Sequence, residues 1–192
     1  MDLKQLADWA NFYVIVGSAA AGLTGLTFVV IALASDAGRV NAVGLNTFIT
    51  PTIVHFGTVL ALAAYMCVPH PTVWRLALGV GAAGVGGLAY TGRITVNLRH
   101  NLGQYTPVWE DWICNVWLPG LAYGTLCAAA IGVGHDPDGA LDGIGGASLV
   151  LLFIGIHNAW DIAVWMSMRK HAGPAADDSK PAASGDGSGA PG

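Results

Sequence analysis

The side chains in this chain that can do chemistry lie inside or beside long apolar runs. His55 falls within the run from about Ile49 to Val68, and His157, Asn158 and Asp161 fall within the run from about Ala147 to Met168. Arg93, Asn97, Glu110, Asp111 and Asn115 stand at the edges of two further runs. Ionisable groups at membrane depth are costly and usually face a bundle interior or a water-filled cavity, so such residues mark candidate ligand or ion sites. On a helix His157 and Asp161 are one turn apart, with Asn158 and Trp165 in the same arc, which predicts one shared polar face.

Imidazole together with carboxylate suits Zn, Fe or Mn. That makes His55, His157 and Asp161 the candidate metal ligands and a divalent metal the candidate cofactor. No HExxH or ExxH pattern adds to this reading. The same three residues form a chain for proton or ion transfer. A bis-histidine haem between His55 and His157 fits less well, because the two lie at different depths. The plainest alternative is that Asp161 pairs with Arg93 while the histidines and asparagines hydrogen-bond between helices. It explains any one residue and strains only when several ionisable groups gather at similar depth.

The surrounding sequence points to helices in a bilayer. Of 192 residues 54% are hydrophobic and 10% charged, with a mean hydropathy of +0.55; soluble domains carry about a quarter charged residues. The fold class implied is an all-α polytopic integral membrane protein. Glycine, at 27 residues, shows no collagen-like period and suits close packing of membrane helices. The net charge of −4, with no basic cluster, zinc finger, Walker loop or dinucleotide fingerprint, argues against nucleic acid as a partner and leaves the lipid bilayer. Cys67, Cys114 and Cys127 have no CxxC spacing and read as small buried hydrophobes.

Five spans are expected, at about 10–34, 49–68, 72–92, 108–133 and 147–168, each on the scale of the hydrocarbon core. Residues 1–171 then form one five-helix transmembrane domain, and 172–192, rich in Ala, Gly, Ser, Pro and Asp, read as a disordered tail. Ala32-Leu33-Ala34 resembles a signal-peptidase site, but Asp2 and Asp8 in the leader and the length of the apolar run favour a retained first helix. Pro119 predicts a kink in the fourth span. His135-Asp136-Pro137-Asp138-Gly139 reads as a turn before the fifth. Beyond Gly92, the positions Arg93, Asn97, His100 and Gln104 form a polar stripe if the third helix continues.

Lys4 and Arg75 are the only Lys or Arg on one side of this topology, whereas Arg39, Arg93, Arg99, Arg169, Lys170 and Lys180 fall on the other. The positive-inside rule therefore places the C-terminus in the cytoplasm and the N-terminus outside, in a bacterial inner membrane on this reading. Helices two and four begin, and three and five end, at the cytoplasmic face. The polar residues of the four are then expected to meet in a cytoplasm-facing funnel. Three functions fit: an intramembrane site for a cation, metal or polar headgroup, with or without catalysis; a proton-coupled carrier or channel; or a non-catalytic assembly subunit. The carrier or channel is expected to be oligomeric, and beside the lipid bilayer the partner expected is a second copy or a membrane complex. Should His157 and Asp161 point away from the other helices, an interface replaces the funnel.

Overall fold

The computed structural model describes residues 8–36, 50–69, 72–100 and 109–171; at 34–36, 98–100, 110–111 and 165–171 the description is of the backbone alone. All regular structure among these residues is helical. Helix α1 is Ala10–Asp36, α2 Thr50–Met66, α3 Val73–His100 and α4 Trp109–Trp112; a π-helical segment Ile113–Trp117 leads into α5, Leu118–Gly132, and α6 is Pro137–His171.

Four segments are long and apolar enough to cross a membrane: Ala10–Leu33, Val73–Asn97, Ile113–Gly132 and Pro137–Val164. The second expected span, α2, is apolar but has 17 residues, which at about 1.5 Å per residue falls a little short of a hydrocarbon core of about 30 Å. The expected tail, 172–192, lies outside the described residues.

Small residues set the contacts between the helices. Gly17 of α1 lies against Ala63 of α2, where an added Cβ would come within 2.8 Å of the alanine methyl. Gly84 of α3 abuts Cys127 of α5, with 2.7 Å to its Sγ, and Gly87 abuts the ring of Tyr123. Gly155 of α6 receives the ring of Phe56 from α2, and Gly143 meets Thr125 of α5. The chain of contacts therefore runs α1, α2, α6, α5, α3. Without a hydrophobic drive between helices in lipid, such close approach supplies the dispersion contacts that hold the bundle. In α6 the most apolar stretch is 56% buried, against 22–28% for the other three spans, so α6 is the central helix.

The hydroxyls within the spans are mostly satisfied inside their own helices. Thr24, Thr27, Thr58, Thr95, Thr125 and Ser148 each donate to the carbonyl four residues earlier, which spares the bilayer an unpaired polar group.

Two local features differ from the sequence expectation. Ahead of Pro119 the helix opens into a π turn, with the Leu118 amide donating to Ile113 O. Pro119 lacks an amide and crowds the carbonyl four residues before it, and the wider turn absorbs that conflict where a simple kink was expected. Helix α6 begins at Pro137, ten residues before the expected Ala147. Asp136 caps it: the Gly139 amide donates to Asp136 Oδ1 at 3.1 Å, and Pro137 occupies the first helical position. Asp-Pro-Asp-Gly is thus a helix start with a side-chain cap, not a free turn. Asp136→Ala is expected to destabilise this end by about 0.5–2 kcal/mol, seen as faster amide exchange over the first turn of α6 with the centre of the helix unchanged.

Candidate functional site

The expected polar residues divide into an inward and an outward set. His55 is 1% exposed. Its Nδ1 lies 2.9 Å from the Tyr123 hydroxyl, which is itself 3.5 Å from Thr58 Oγ1. The phenol ring reaches this position by crossing the face of Gly87, which has no side chain to obstruct it. Three helices are tied at one level: α2 through His55, α5 through Tyr123 and α3 through Gly87. The cluster holds one imidazole, one phenol and one hydroxyl.

Asn158 is buried at 5% and shares its face of α6 with Gly155, the face turned toward α2. Its Nδ2 has no partner among the described residues, as is also true of Tyr13 Oη and Thr91 Oγ1. His157 and Asp161 face the other way. Their side chains are 48% and 52% exposed and pair with each other across 3.4 Å. The expected shared face is therefore split. Successive helical residues turn by about 100°, so Asn158 turns inward while positions 157 and 161 remain in register outside. Asp161 takes His157 as its partner, not Arg93, which is exposed on α3.

His157 and Asp161 sit in a continuous outward stripe. Leu149, Phe153, Ile156 and Trp160 complete it, with Phe153 at 65% and Trp160 at 69% exposure. The pair lies one to two turns inside Val164, where the apolar part of α6 ends. An apolar stripe alone is ordinary for a lipid-facing helix. An acid and a base within one are not, because each costs free energy when it meets hydrocarbon.

Asn97 is exposed on α3 and Asn115 is half-buried in the π turn; the side chains of Glu110 and Asp111 lie outside the described residues. No group of three or more His, Cys, Asp or Glu able to hold an ion occurs among the described residues. His55, His157 and Asp161 thus do not assemble as a ligand set: the first is buried against α5 and the others point outward.

Sequence reasoning missed Tyr123. Its signal was present, since a tyrosine deep in an apolar helix needs a hydroxyl partner, and a glycine-rich neighbour such as α3 offers it a flat wall. A cleft of about 620 Å³ also lies between α2 and α3, bounded by Gly57, Thr58, Ala61, Gly79, Gly86 and Tyr90. Tyr65 lines one end of it, lying against Gly79 and donating to Arg75 O. Compared with known proteins, the chain matches no family model, no curated protein and no solved structure.

Proposed function

We propose that this chain is a non-catalytic assembly subunit of a membrane complex, in a bacterial inner membrane with its C-terminus cytoplasmic, and that the outward face of α6 is where another polypeptide docks. The observation carrying this reading is the His157–Asp161 pair, half exposed on the side of α6 away from the buried Asn158. A second protein surface removes both groups from lipid and supplies hydrogen bonds that hydrocarbon does not. Trp160 and Phe153 beside them give the contact its apolar area. Trp is among the residue types enriched at the energetic centres of interfaces.

The interior cluster is structural on this account. His55, Tyr123 and Thr58 satisfy one another and lock α2, α5 and α3, which holds α6 in place for docking. The orientation follows from the Lys and Arg distribution.

The test places a photo-reactive group at Phe153→Cys, in a background with Cys67, Cys114 and Cys127 replaced by alanine, and irradiates native membranes. Protein adducts are expected from position 153 and only lipid adducts from Val85→Cys, an exposed position on α3. Lipid adducts alone from both positions would end the assembly reading.

A further inference from the structure

The partner covering α6 is, we infer, a second copy of this chain, docked so that His157 of each copy meets Asp161 of the partner subunit. This rests on the assembly reading and names the partner. A closed twofold contact requires one patch that complements itself. The α6 stripe does so, because it carries one base and one acid, one turn apart on the same face.

Two parallel copies of α6 related by an axis along the bilayer normal bring like positions to equal heights. Residues 157 and 161 of the two copies then form a ring in which imidazole and carboxylate alternate. Each carboxylate lies beside two imidazoles, and no group in the ring is left with only a like neighbour. The approach is unobstructed: Gly146, one turn before Leu149 on the same outward side, is exposed, and an added Cβ there would meet nothing within 4 Å of its own chain. Phe153, Ile156 and Trp160 flank the ring with apolar area. A foreign partner would need its own acid and base at matching spacing, whereas a second copy brings both by symmetry.

Charge-reversed variants test the ring. H157D carries two acids on the stripe and D161H carries two imidazoles. Two differently tagged copies are co-expressed, and their mutual copurification from a bilayer-preserving polymer is measured. Wild type is expected to copurify with wild type. H157D with H157D is expected to fall by at least about tenfold, because four acids then face one another. H157D with D161H is expected to recover most of the wild-type level, since the mixed pair restores acid against base. Both positions are half exposed, so the fold should tolerate the changes. If either charge variant fails to accumulate, H157N and D161N replace it and should each weaken self-association without destabilising the chain.

The proposal is overturned if wild-type copies do not copurify, if H157D associates with itself as well as wild type does, or if the mixed pair recovers nothing. The photo-adduct at Phe153→Cys separates this from the assembly reading. A product of twice the chain mass supports the second copy. A product with a different protein keeps the assembly reading and removes the second copy, and no protein product removes both.

Discussion

Gly87→Ala is expected to lower the thermal stability of the purified protein by several degrees, while Gly86→Ala, one residue away, leaves it unchanged or slightly raised. The contrast follows from what each new methyl would meet. At Gly87 it falls within the ring of Tyr123, whereas at Gly86 nothing lies within 4 Å. The Tyr123 ring cannot simply swing aside, because its hydroxyl is bonded to the buried Nδ1 of His55 at 2.9 Å. Overpacking of this kind costs about 1–3 kcal/mol, and displacement of the ring adds the loss of the bond. At Gly86 only the helix propensity changes, worth about 0.5–1 kcal/mol in favour of alanine in soluble hosts. Equal melting of the two variants would mean that Tyr123 does not cross Gly87.

Tyr123→Phe is expected to be the second large effect. It removes one hydroxyl and fills nearly the same space, yet it leaves His55 buried at 1% exposure with no partner at Nδ1. Stranding a buried polar group costs about 1–3 kcal/mol, whereas removing both partners costs less than the two single changes suggest. His55→Leu with Tyr123→Phe should therefore be destabilised by less than the sum of the single variants. Thermal melts of the four proteins form the double-mutant cycle. Additive losses would show that the two side chains do not interact.

Much of this architecture was legible in the residues. Apolar run lengths gave the helices α1 and α2 within about two residues of their ends, and α3 ran on through His100 as its polar stripe allowed. Those features depend on local composition and period, which a sequence carries openly. The start of α6 is also legible, in Asp136 followed by Pro137, but the Asp-Gly turn signal competes with the cap signal. The structure shows that the cap won.

The site was less legible, for a geometric reason. Periodicity says that His157 and Asp161 share a face; it does not say which face of α6 is turned to the bundle. That is decided by Gly155 receiving Phe56 and by Gly145 receiving Trp9, with 2.5 Å from an added Cβ to the indole. Those glycines put Asn158 inside and His157 outside. Small residues, not the polar ones, set the orientation of α6. Likewise the polar atom of Tyr123 is a single hydroxyl in an apolar helix, and its role emerges only from Gly87 and His55 on two other helices.

How far lipid reaches the outward acid–base pair of α6 is the most direct measurement of whether a protein covers it. A spin label at Phe153→Cys, in native membranes, reports contact with oxygen, which concentrates in the hydrocarbon. Markedly lower oxygen accessibility is expected there than at Val85→Cys on α3 if protein covers the His157–Asp161 face and lipid covers the other. Equal, high accessibility at both positions would show that α6 presents this pair to lipid, and would contradict the assembly function.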